Sequence, residues 1–253
     1  MDSQYIKGNL LDFYKDISKN SNAILGNIGP FEYIIETNSI WPNTIFLSNQ
    51  EINFNYYELY ILKKGIKNNK YPTTLLLDDF NVTNDTLSVL RKTGFVPASE
   101  WINMEFAIGT LGSIQMPALD VRVLTLNDVS ELNDWIGIVN SVLFSKGNLT
   151  IDLFKNGIRN NLFKLLILYY KELPAATALL YLGKDAGIYM VATIPLFRKK
   201  GLGKYIVNVT HRLAASLNYN KTVLHSTKQG LPLYQSLGYV PKGKMILFCF
   251  IDK

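Results

Sequence analysis

Two rhythms of apolar residues alternate along this chain. From Asp2 to about Ser18, Tyr5, Leu10, Leu11, Phe13 and Tyr14 follow helical spacing, which the polar run Asn20, Ser21, Asn22 breaks. Phe31–Glu36 and Thr44–Leu47 then read as strands, followed by a helix from about Phe54 to Lys67 and a strand Thr73–Leu77. A short helix around Leu87–Arg91 and a long strand Phe95–Ile108 complete a first half, and Gly109–Pro117 reads as a linker. The second half opens with a strand, Val121–Leu124. Thr125–Asp128 carries N-cap chemistry for a helix running to about Phe144, and another helix spans Ile151–Arg159. Three apolar runs follow, Phe163–Tyr170, Ala175–Leu182 and Gly187–Thr193, with breaks short enough to make them antiparallel strands. After a glycine-bearing turn come a helix with Ile206, Val207, Val209, Leu213 and Leu217, a strand Thr222–His225, a helix from about Leu231 and a last strand Lys244–Ile251.

The chain repeats a phrase. Leu90-Arg-Lys-Thr-Gly94-Phe95-Val96-Pro97 matches Tyr234-Gln-Ser-Leu-Gly238-Tyr239-Val240-Pro241, each following an apolar strand and leading into a long one. Such self-similarity predicts two related halves, although helix, glycine, strand is also common punctuation. The copies differ where chemistry would sit: the first has no Gly-x-Gly turn before its helix at 54–67, and Leu90 stands where the second has Tyr234.

That turn, Arg198-Lys199-Lys200-Gly201-Leu202-Gly203-Lys204, is the most informative stretch. Glycines at a helix start let the backbone approach a ligand, and the unpaired N–H groups of the first turn carry roughly half a positive charge. With Arg198, Lys199, Lys200 and Lys204 around it, a diphosphate is the natural guest. A Walker loop is excluded, because Tyr205 follows Lys204 where Ser or Thr is required. A dinucleotide fingerprint is excluded as well, since Ile206 occupies the place of its third glycine. An ordinary strand-turn-helix with a solvated basic turn remains the alternative.

Composition narrows the classes. Hydrophobic residues make up 48% of the 253 positions and charged residues 18%, enough for a core in two modest domains or one large one. A net charge of +6, with basic residues dispersed apart from Arg198–Lys200, makes a local anion site sufficient and nucleic acid unnecessary. The single cysteine, Cys249, excludes an internal disulfide and a CxxC metal site, and its apolar surroundings suggest a core thiol. With no basic leader and no long apolar stretch, the expectation is a cytoplasmic protein that does not engage a membrane.

The blocks MVATIPLFRKKGLGKYI and GLPLYQSLGYVPKGK resemble the acetyl-CoA loop and the following helix-strand unit of the GNAT superfamily of N-acetyltransferases. The resemblance implies an α+β fold, a mixed, mostly antiparallel sheet flanked by helices. The expected domains are a degenerate GNAT-like one over residues 1–112 and a catalytic one over 118–253. It implies acetyl-CoA as co-substrate with no metal. The backbone of Met190, Val191, Ala192 and Thr193 would pair with the pantetheine arm, and Arg198, Lys199, Lys200, Gly201, Leu202, Gly203 and Lys204 would hold the diphosphate. It further implies Tyr234 beside the thioester sulfur and the Val191 N–H as oxyanion donor. No carboxylate lies on Ile188–Thr193, so the base is open. His225, at its strand's end, is a candidate that could accept a proton near neutral pH, a structural histidine being the alternative. The acceptor would be an amine of a small molecule or peptide, and a homodimer is allowed. A non-catalytic CoA-sensing module and a tandem aminoacyl transferase are the other readings.

Overall fold

A computed structural model describes residues 4–19, 23–47, 54–110, 118–144 and 149–252. The elements of the first half are α1 (Gln4–Ser18), β1 (Ile24–Ile28), β2 (Phe31–Ile35), β3 (Thr44–Leu47), α2 (Tyr56–Lys67), β4 (Thr74–Asp78), α3 (Asn84–Thr93) and β5 (Phe95–Ala107). Those of the second are β6 (Asp120–Leu124), α4 (Val129–Leu143), α5 (Asp152–Arg159), β7 (Phe163–Tyr170), β8 (Leu173–Leu182), β9 (Ala186–Thr193), α6 (Leu202–Ser216), β10 (Lys221–Ser226), α7 (Leu231–Ser236) and β11 (Val240–Phe250). Most match the sequence pattern, and the α+β expectation holds. The start of the expected first helix, the polar break after it and most of the expected linker lie outside the described residues.

Local chemistry explains the elements that sequence reading drew differently. β1 was not expected, because Gly26-Asn27 interrupts its apolar run; it exists through pairing with β2, from Ile24 opposite Ile35 to Ile28 opposite Phe31. α3 starts well before Leu87 because Thr83 caps it, accepting the Thr86 N–H at 3.2 Å. Asn55 and Glu58 form a capping box for α2. Asp128 does not cap α4 through its side chain. Its carboxylate instead accepts from the Thr125 N–H at 2.6 Å and the Thr125 hydroxyl at 2.8 Å. Between β7 and β8, Lys171 and Glu172 take φ of 52° and 65°, the paired left-handed geometry that matches a hairpin's twist. β11 begins at Val240 rather than Lys244, since a register shift between Pro241 and Gly243 absorbs the proline. Cys249 sits on β11 only partly buried.

Among the described residues all strands join one 11-stranded sheet in the order β1-β2-β3-β4-β11-β5-β10-β9-β8-β7-β6. The centre of that order is an exchange: β11, the end of the chain, lies between β4 and β5, while β5 lies between β11 and β10. Each half therefore closes the other's sheet, which the order along the chain does not indicate. α1 covers the junction. Its Lys7 makes a 2.6 Å ion pair with Asp78 at the end of β4, with both side chains at most 2% exposed. Its Asn9 donates to the Asp185 carbonyl at 2.8 Å and accepts from the Tyr189 hydroxyl at 2.6 Å. Phe13 stacks on Tyr189 with ring centroids 4.0 Å apart.

Candidate active site

β9 and β10 run parallel but pair only at Ala186 with Thr222 and Gly187 with Val223. Past Gly187 the strands part, so the β10-facing edge of Ile188–Thr193 has no strand beside it. Between the Thr177–Ala192 and Leu179–Tyr189 pairs, β9 advances one residue more than β8, a bulge around Met190 and Val191. Met190 takes φ of 50°, and its carbonyl accepts the Thr177 hydroxyl at 2.9 Å. A non-glycine residue held there costs on the order of 1–3 kcal/mol, and the buried threonine is what fixes it.

The open edge leads into the basic turn. A short 3-10 turn, Pro195–Phe197, connects β9 to it, and Arg198 is fastened by a bond from its Nε to the Thr193 carbonyl at 3.1 Å. Lys199 has φ of 60° and Gly201 φ of 78°, so the chain doubles back and delivers α6 with Gly201 as its cap residue. No side chain caps that helix and no acidic residue stands in its first turn. Its leading N–H groups are therefore unspent donors in a positive field. A Cβ on Gly203 would come no closer than 3.4 Å to the protein, to the Thr193 hydroxyl. The fold thus tolerates one, and the space beyond it is open.

Two adjoining cavities follow this path. One, of about 660 Å³, is lined by Ile188–Val191, Thr193, Arg198, Lys199, His225, Leu233, Tyr234 and residues of the turn before α7. The other, of about 240 Å³, is lined by Thr193, Arg198, Lys199, Gly201, Leu202, Gly203, Lys204 and Leu233. The structure thus brings together most of the residues singled out from sequence. Two stand apart from both linings. Ala192 is buried in register with Thr177, and Lys200 lies with its Nζ 5.8 Å from the Tyr170 ring centroid. Lys204 lines the smaller cavity while its Nζ donates to the Ser236 carbonyl at 3.3 Å.

Tyr234 lies in the six-residue α7, packed edge-on to Tyr239 with ring centroids 5.6 Å apart. Burial pushes its phenol pKa up, so the group stays a proton donor. His225 is part-buried and lines the larger cavity. Its Nδ1 lies 2.8 Å from the Asn103 Oδ1 of β5, its Nε2 is buried without a hydrogen bond of good geometry, and burial pushes the imidazole down to about 3. That direction favours the neutral imidazole. Sequence reasoning missed Tyr189 and Asn103. Tyr189 could have been flagged as the aromatic on the strand before the loop, whereas Asn103 enters only through the strand exchange. Among the described residues no group of three or more His, Cys, Asp or Glu side chains could hold a metal ion, and no helix is long and apolar enough to cross a membrane.

A strand that parts from its parallel neighbour at a bulge, then feeds a glycine turn and an uncapped helix, coincides with known architecture. A GCN5-related N-acetyltransferase from Kribbella flavida superposes over 100% of this chain and 96% of its own with a TM-score of 0.75 at 14% identity. The fold is that of the GNAT superfamily. A conserved protein of unknown function from Staphylococcus epidermidis ATCC 12228 covers 95% of this chain and 98% of its own with a TM-score of 0.69 at 16% identity. A second GCN5-related N-acetyltransferase, from Sphaerobacter thermophilus, covers 90% and 84% with a TM-score of 0.63 at 10% identity. At such identities the likeness is one of GNAT architecture. No family model and no curated protein matches the chain.

Proposed function

We propose that the chain is an acyl-CoA N-acyltransferase that uses acetyl-CoA and transfers its acetyl group directly to an amine of a small molecule or peptide. The observation that carries this is the parting of β9 from β10 at a bulge, along two adjoining cavities that also take in the uncapped start of α6 and Tyr234. In this reading residues 118–253 are the catalytic half, residues 1–112 a degenerate copy, and the protein works in the cytoplasm.

Each residue then has a physical task. The free edge of Ile188–Thr193 offers N–H and C=O groups to the amides of a pantetheine arm, as a sheet edge does to an added strand. The amides of Leu202, Gly203 and Lys204, with Arg198 and Lys199, hold the diphosphate. At the bulge the Val191 N–H is the donor for the thioester oxygen as that atom gains charge. The Tyr234 hydroxyl donates to the sulfur as it leaves with the bonding electron pair, and burial keeps that proton in place until then.

Isothermal calorimetry with acetyl-CoA tests the reading, with binding in the micromolar range expected; heats no larger than dilution would end it. One observation favours a second reading, a non-catalytic CoA-sensing module. Among the described residues neither cavity of the cleft is lined by a carboxylate, and burial lowers the His225 pKa. Thiol release from acetyl-CoA across a panel of amines separates the two.

A further inference from the structure

β10 is short. It ends at Ser226, opposite Ile102, while β5 runs on to Phe95 beside β11. From Trp101 back to Pro97 the other edge of β5 is therefore left without a strand, and the turn after β10 stands there. A further cavity of about 500 Å³ occupies this notch. Pro97, Ala98, Ser99 and Glu100 from the first half line it, with Thr227, Lys228 and Gln229 from the second. Thr227 and Gln229 also line the cleft, so the two spaces adjoin across that turn.

Glu100 is the carboxylate among these linings. It pairs with the Lys228 Nζ at 3.1 Å, the lysine side chain 77% exposed and the carboxylate 39%. An exposed pair of this kind is weak and exchangeable, and a lysine ammonium on its alkyl stem is what an aliphatic amine would itself present. A nitrogen held on Glu100 lies on the far side of the turn from Tyr234. The acceptor therefore needs a second nitrogen to reach the thioester.

We propose that the notch is an acceptor subsite in which Glu100 anchors one ammonium group of an alkyl diamine or polyamine, while another nitrogen of the same molecule enters the cleft. Lys228 occupies the anchor until the acceptor displaces it. The assignment rests on the cleft being the acyl-donor site, and it gives the first half a part in selecting the substrate.

The test compares n-butylamine, putrescine and spermidine as acceptors for wild type, Glu100→Gln and Lys228→Ala, with acetyl-CoA affinity measured by calorimetry. Wild type should show a KM about tenfold lower for the two polyamines than for n-butylamine, the scale of one charge-assisted contact. Glu100→Gln should erase that preference and Lys228→Ala should enlarge it, with acetyl-CoA affinity unchanged in both. Equal KM values across the three amines in wild type, or a preference that survives Glu100→Gln, overturns the subsite. Calorimetry with spermidine alone keeps the test independent of turnover. Binding that weakens in Glu100→Gln supports the anchor whether or not acetyl-CoA binds, and spermidine binding that is absent or unaltered by the substitution overturns it. Lys228 is exposed and Glu100 only part-buried, so nearly unaltered thermal unfolding is expected of each variant.

Discussion

In the first half β3 and β4 run parallel and pair only at Ile45 with Leu75 and Phe46 with Leu76; in the second, β9 and β10 do the same at Ala186 with Thr222 and Gly187 with Val223. Both halves close the next helix with a left-handed glycine, Gly94 at φ 100° and Gly238 at φ 92°. Those two features recur in both halves, and the side chains around them differ. Around β3 and β4, Phe31, Ile45, Leu47, Leu59, Leu62, Leu75 and Leu77 pack into one apolar cluster with the fully buried Leu90. Around β9 and β10 the corresponding space is a cleft, with Tyr234 at its wall. Beside one pair of parallel strands the space is filled with apolar side chains, and beside the other it is open. In the repeated phrase, Leu90 stands on the filled side and Tyr234 on the open one.

That contrast can be broken first at the junction. Lys7→Met leaves Asp78 charged and buried without its partner, which should cost about 3–5 kcal/mol in urea unfolding, while Lys7→Met with Asp78→Leu should recover most of it. A single variant as stable as wild type would mean that α1 does not seal the two halves.

On the open side, Gly203→Val should weaken acetyl-CoA binding by about a hundredfold or more, roughly 2.7 kcal/mol, because its side chain fills the cradle while the free protein accommodates a Cβ there. Calorimetry with undiminished affinity would remove the loop from the binding site. The shared position offers a sharper contrast. Tyr234→Phe should lower kcat by about tenfold to a hundredfold with acetyl-CoA affinity within about twofold, whereas Leu90→Ala should lower stability by about 2–5 kcal/mol and leave acetyl-CoA affinity alone. Equal catalytic losses from the two substitutions would erase the distinction between the halves.

The smallest effects concern pH. Burial lowers His225 to about 3 and His211 to about 4, from a free value of 6.5. The unfolded chain then binds more protons than the folded one below about pH 6.5, so stability should rise with pH from about 4 to 6.5 and level off above. Urea midpoints across that range check this, and His211→Gln should flatten part of the slope. A His225→Gln enzyme should keep the wild-type dependence of kcat above about pH 5, since a histidine titrating near 3 contributes no inflection there. An inflection lost in that variant would restore His225 as a base.

Local pattern determined much of this protein. The helix and strand periods, the glycine turn and the matching phrases at Leu90 and Tyr234 depend on neighbours in sequence, and the α+β architecture was what the resemblance of two such blocks implied. The candidate residues of the basic turn were legible for the same reason, and those of β9 through the resemblance, all lying on one continuous strand-turn-helix. Other features depend on partners far away along the chain. β1 is a strand because β2 lies beside it, and the His225 pKa is lowered because distant elements, β5 among them, take its ring partly out of water. The exchange of β5 and β11 brings Glu100 and Asn103 to a site formed mostly by the second half. Which edge a strand joins is decided by burial summed over the whole sheet, and no window of neighbouring residues contains that sum.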